Sequence, residues 1–189
     1  MLKNTSDSYG WVSIVLHWLT AITVVTLFAL GLWMESFDYD HPLYKTVPHI
    51  HKSIGFCLMC VIIFRLMWRT FVGVPHSMTN HLKWEKITSK VVHGVLYFVM
   101  LLMLPTGYLI TTAKGQSLDV FNWFSLPPLI TGVDNLEELA GEIHEILAFT
   151  IMGVAFIHAC GALKHHYIDK DITLLRMIFP GKHQRKLKT

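Results

Sequence analysis

The chain has 189 residues, of which 52% are hydrophobic and only 15% charged, and its mean hydropathy is positive. A soluble domain carries roughly a quarter charged residues, so the composition excludes an ordinary soluble globular protein. The formal net charge of +3 calls for no nucleic-acid partner, because membrane topology and anionic lipid account for the basic tail.

Four stretches are apolar enough to cross a bilayer, which takes roughly 17–25 residues each. They fall near residues 12–34, 51–71, 90–111 and 142–164. They predict an all-α, integral-membrane four-helix bundle, a single domain over residues 1–189. The first stretch has a single lysine ahead of it and no small-residue cleavage pattern after it, so it reads as a retained helix and not a signal peptide. It carries His17 in LHWLT. The second opens on His51 in HKSIGF and contains Cys57 and Cys60, which read as small apolar residues because no histidine follows Cys60 to make a haem c attachment. The third opens near His93, and Pro105 with Gly107 predicts a bend in it. Before the fourth lies GQSLDVFNWFSLPPLITGVDNLEE, whose aromatic residues Phe121, Trp123 and Phe124 are expected on the membrane surface. The fourth stretch holds His144 and His158 and closes on His165–His166.

Charge sets the orientation. With the N-terminus in the cytoplasm, thirteen of the sixteen Lys/Arg residues fall inside, including Lys3, Lys83, Lys90, Lys164, Arg176, Lys182, Arg185, Lys186 and Lys188. Only Lys45, Lys52 and Lys114 fall outside, which is the expected positive-inside bias. Both termini are therefore expected in the cytoplasm.

Buried ionisable groups in a membrane segment point to function. At a rise of about 1.5 Å per residue, His144 and His158 lie about 21 Å apart along one helix and within about 40° of the same face. His17 matches His158 at the inner level, and His51 matches His144 at the outer one. Opposed imidazole pairs suit bis-histidine haem ligation, which fills both axial positions and favours single-electron transfer over oxygen binding. Zinc instead takes about four clustered ligands. Gly55, Gly141 and Gly161, each three or four residues from a histidine, are expected to let a flat macrocycle approach. Arg65, fourteen residues after His51, and Lys52 are the cations expected for the haem propionates, with Arg69 and Lys90 nearer the surface. A non-haem transporter or sensor that handles protons or metal with these histidines remains a rival reading.

LHWLT, HKSIGF and the fourth-helix run ending GALKHHYIDKDITLLRM together resemble the bacterial cytochrome b561 family. The chain is also similar to the cytochrome b subunits of nickel-iron hydrogenases and formate dehydrogenases. The resemblance implies two haem b groups, with His17–His158 and His51–His144 as axial pairs, and a multi-pass protein of the bacterial inner membrane. At least one family member resembles a superoxide:ubiquinone oxidoreductase. The resemblance therefore implies a quinone acceptor such as ubiquinone, with superoxide or another periplasmic donor. A subunit serving a periplasmic or membrane dehydrogenase is the alternative, and a homo-oligomer stays open. His93, His165 and His166 lie where they could serve quinone or its protons, or act as plain interfacial residues. His49 is the alternative to His51 as a ligand. His41 lies on the outer side, near the mouth where a donor would approach.

Overall fold

The computed structural model describes residues 1–78 and 81–181, so Lys182, Arg185, Lys186 and Lys188 of the basic tail lie outside the described residues. Four helices dominate: α1 (Trp11–Glu35), α2 (Thr46–Val72), α3 (Lys83–Thr112) and α4 (Leu136–Tyr167). All four are long and apolar enough to cross a membrane. Large apolar side chains such as Ile22, Phe98, Ile146 and Phe156 stand exposed on them, the pattern of helices solvated by lipid and not by water.

Each helix runs beyond its apolar stretch. The added turns are polar, with Lys83, Glu85 and Lys86 at the start of α3 and Glu137 and Glu138 in the first turn of α4. Acidic residues there, and Lys164, His165 and His166 in the last turn of α4, complement the helix dipole at both ends. Pro48 sits in the first turn of α2, where its missing N–H costs nothing. Pro105 lies inside α3. After α2, Gly73 adopts φ +77° and its N–H reaches the Arg69 carbonyl at 3.1 Å, a helix stop that favours glycine.

The loop before α4 holds an antiparallel hairpin of β1 (Leu118–Val120) and β2 (Phe124–Leu126), with Val120 opposite Phe124. Phe121 and Asn122 both have positive φ at its tip, as a tight primed hairpin turn requires.

Contacts divide the chain into two compact units, and every helix contributes one segment to each. The first comprises Met1–Leu19, Ile63–Leu96 and the chain from Gly153. Here Asn4 joins three segments: its amide donates to the Gly73 carbonyl at 2.8 Å, and its oxygen accepts from the Gly10 N–H and the Ser13 hydroxyl. A Cβ on Gly10 would fall 2.2 Å from the Leu2 carbonyl oxygen, so only glycine fits. Trp18 donates its indole N–H to the Met177 carbonyl at 2.7 Å, seating a 3-10 turn at Leu175–Met177.

The second unit comprises Thr20–Ile62 and Tyr97–Met152. Ser53 of α2, fully buried, accepts the Phe121 N–H at 2.9 Å and donates to the His49 carbonyl at 2.8 Å. The hairpin is thereby tied to the helix two residues from His51. The Tyr108 hydroxyl donates to Pro127 and accepts from the Leu129 N–H, fixing the far end of the loop. Lys114, just after α3, pairs with Glu137 in the first turn of α4, and that contact raises the lysine above its ordinary pKa.

Candidate functional site

In the first unit His17 and His158 face each other with ring centroids 6.1 Å apart and planes at 72°. In the second, His51 and His144 stand 6.4 Å apart at 65°. Two imidazole nitrogens on opposite sides of one metal, each about 2.0 Å from it, would put the ring centroids about 6.2 Å apart. Both pairs have that spacing. The structure pairs His51, and not His49, with His144. Neither pair belongs to a group of three or more metal-ligating side chains among the described residues, so a tetrahedral zinc centre has no donor set here.

The His51–His144 pair borders a cavity of ≈ 580 Å³ whose lining includes Gly31, Gly55, Gly107, Gly141 and Lys52. That is the size of a cofactor pocket. The glycines differ in what a side chain would meet. A Cβ at Gly107 would lie 3.1 Å from His144 Cε1, one at Gly31 would lie 3.7 Å from His51 Cε1, and at Gly55 or Gly141 nothing comes within 4 Å. Gly161 also has open space around it.

Hydrogen bonding fixes the nitrogens. Thr106 Oγ1 stands 3.0 Å from His144 Nδ1 and also 3.0 and 3.1 Å from the Leu102 and Met103 carbonyls. Its one hydrogen goes to a carbonyl, so His144 Nδ1–H donates to the hydroxyl and Nε2 keeps its lone pair for a metal. His51 Nδ1 is buried with no hydrogen-bond partner among the described residues. In the first unit Arg65 Nη2 lies 2.9 Å from His17 Nδ1. A guanidinium only donates, so that nitrogen accepts. Ligation through His17 Nε2 then requires Arg65 to turn to another acceptor, which a haem propionate would provide.

Several contributors escape a reading of the sequence. His93 stands against His158 at 4.9 Å, and its Nδ1–H donates to the Ser89 carbonyl at 2.7 Å, which leaves its Nε2 unprotonated. Its place at the opening of an apolar stretch marks it as a quinone-side or interfacial residue and gives no sign of its approach to His158. Thr106, Gly31 and Gly107 reach their histidines across helices, and no spacing along the chain signals that. His41 stacks on Phe37 at 4.1 Å. His165 stacks on His81 at 4.0 Å, while His166 Nδ1 is buried without a hydrogen-bond partner. The residues present thus fit bis-histidine ligation of haem: donor type and ring spacing agree in both pairs, and the glycine-lined cavity lies beside His51 and His144.

Comparison with known proteins accords with this geometry. Residues 8–180 match the family model described as prokaryotic cytochrome b561. Escherichia coli K12 "Cytochrome b561 homolog 2" is 38% identical over 175 residues, covering 93% of each chain. "Cytochrome b561 homolog 1" of the same strain is 28% identical, covering 91% of this chain and 97% of the relative. Yersinia pestis "Probable superoxide oxidase CybB" is 25% identical, covering 90% of this chain and 95% of the relative. The chain belongs to the prokaryotic cytochrome b561 family, as a haem-binding, multi-pass electron-transfer cytochrome of the bacterial inner membrane.

Proposed function

We propose that the chain is a dihaem b-type cytochrome that carries electrons across the bilayer to a membrane quinone, with superoxide as a donor on the periplasmic side. In this reading residues 1–189 form one membrane domain with both termini in the cytoplasm. The observation that carries it is the division of four intramembrane histidines into two opposed pairs, at 6.1 and 6.4 Å.

Haem b, when bound, supplies reversible one-electron chemistry. His17 and His158 would hold one group, and His51 and His144 the other. Two imidazoles for each group would favour electron transfer over dioxygen binding. Arg65 would neutralise a propionate beside His17, and Lys52, on the lining of the cavity, would do so beside His51. Thr106 fixes the plane of the His144 ring and raises its basicity by accepting its Nδ1–H.

Superoxide as donor is supported by the Yersinia pestis relative's name. The outer lysines add little to it: Lys52 is assigned to a propionate and shares the cavity lining with Glu35 and Glu145, and Lys114 is engaged by Glu137. A second reading, a subunit that takes electrons from a dehydrogenase partner, is favoured by the hairpin tip. There Trp123 is 76% and Phe124 45% exposed, an aromatic surface suited to a protein.

The test is haem content per chain with redox difference spectra on detergent-purified protein, alongside His17→Ala and His144→Ala. Two b haems per chain, one lost or disrupted in each variant, is the expected result, followed by superoxide-driven reduction of ubiquinone analogues. One haem or none sinks the paired-site reading and brings forward proton or metal handling. Two haems without superoxide activity would favour the subunit reading.

A further inference from the structure

The first unit holds a second cluster, apart from the paired histidines, that the electron-transfer reading does not use. His81, just before α3, lies beside the last turn of α4 and the residues that follow it. His81 Nε2 is 2.7 Å from Asp171 Oδ2, and His165 Nδ1 is 2.6 Å from Asp169 Oδ2 and 3.8 Å from Asp171 Oδ2. The donor atoms of His81, His165 and Asp171 all lie within 4.8 Å of one another.

We propose that His81, His165 and Asp171 form a three-residue binding site for a divalent transition-metal ion of the zinc class, with water to complete the shell. Neighbouring ligand atoms on a tetrahedral zinc ion with bonds of about 2.0–2.1 Å stand about 3.3 Å apart. His81 Nε2 and His165 Nδ1 stand 2.7 and 3.8 Å from Asp171 Oδ2, separations that bracket that edge.

Charge points the same way. Asp169, Asp171 and Glu85 bring three carboxylates, and Lys164 Nζ lies 2.5 Å from Glu85 and 2.7 Å from Asp169, so one ammonium answers two of them and a dication would answer Asp171. The two imidazoles stack at 4.0 Å and 20°. Thr173 N–H donates to Asp171 Oδ1 at 2.8 Å, orienting the carboxylate from behind as outer partners do in built metal sites. Lys164 keeps its pairs with Glu85 and Asp169.

This site stands independently of the haem and quinone assignments. The test titrates Zn²⁺ alone into the full haem-loaded chain in detergent, by competition with a chromophoric chelator, for the wild type, Asp171→Asn, His81→Gln and, as a distant control, His41→Gln. We expect one Zn²⁺ per chain. Asp171→Asn and His81→Gln should each weaken binding at least about tenfold, since losing even an outer partner costs about 10–100-fold, and His41→Gln should bind as wild type. The haem spectrum reports whether each variant has folded. If either fails to fold, zinc-edge X-ray absorption on the wild type decides: two imidazoles in the first shell support the site. No stoichiometric binding, binding unchanged in both folded variants, or a shell without imidazole overturns it.

Discussion

Gly107 offers the sharpest probe of how His144 is held. A Cβ there would sit 3.1 Å from Cε1 and 3.4 Å from Nδ1 of the ring. That is too close for ordinary contact, so Gly107→Ala forces the imidazole to yield by a few tenths of an ångström. The ring has little freedom to do so, because its Nδ1–H is engaged by Thr106 at 3.0 Å. Overpacking of this kind costs about 1–3 kcal/mol, and every 1.4 kcal/mol is about tenfold in an equilibrium. With haem ligated as proposed, the variant should therefore release it from His51 and His144 about 5- to 150-fold more readily, leaving the His17–His158 site alone. Gly31→Ala is the matched control: its Cβ would meet His51 Cε1 at 3.7 Å, ordinary van der Waals contact, and haem retention should stay near wild type. The assay follows haem transfer to excess apomyoglobin, with low-temperature difference spectra to tell the two sites apart. If Gly107→Ala keeps both haems with wild-type line shapes, or if Gly31→Ala loses as much, the ring is not held as the geometry says.

Other expectations concern single contacts. Thr106→Val removes the acceptor for His144 Nδ1–H, makes the ligand less electron-rich, and should raise the midpoint potential of that site by a few tens of mV, the equivalent of one hydrogen bond of about 1 kcal/mol; redox potentiometry that finds no shift contradicts the tautomer assigned here. Arg65→Gln removes a positive charge beside His17 and should lower the potential of the other site while sparing the first. Ser53→Ala leaves the buried Phe121 N–H without its acceptor, at a cost of about 1–3 kcal/mol. Proteolysis within residues 118–126 should become faster, with both haems retained. The Lys114–Glu137 contact raises the lysine's folded pKa, so its small contribution is fully present below 10.5 and fades only as pH rises through the folded value; Lys114→Met should leave thermal stability between pH 6 and 9 within measurement error, since exposed pairs contribute little.

Helices and histidine pairs were open to a reading of the chain for one reason. An apolar stretch in lipid has a single backbone solution, and a straight helix converts sequence number into depth. Once four helices are assumed, His17 and His158, and His51 and His144, have few other partners at their level. The helix ends were harder to read, because hydropathy stops at the first charge whereas the Lys83–Lys90 turns of α3 continue past it. The hairpin at Leu118–Leu126 was hidden by its own turn. Phe121 occupies a left-handed conformation usually filled by Asn, Asp or Gly, so the stretch reads as an irregular aromatic run. Thr106, Gly107 and His93 act on residues far away in sequence, and only the packed helices bring them there.

At 32 residues, α4 is about 48 Å long, against about 30 Å for the hydrocarbon core of a bilayer. Its first turn is acidic and its last turn basic, so both overhangs are at home in headgroups or water. A membrane a few ångströms thicker or thinner is then met by wetting or burying part of a turn at either end, with every helical hydrogen bond intact. The thirteen residues between His144 and His158 stay helical throughout. The spacing of these two histidines along α4 is accordingly set by the helix's own hydrogen bonds and is insensitive to lipid composition, so changes of growth temperature or acyl-chain length should leave it unaltered.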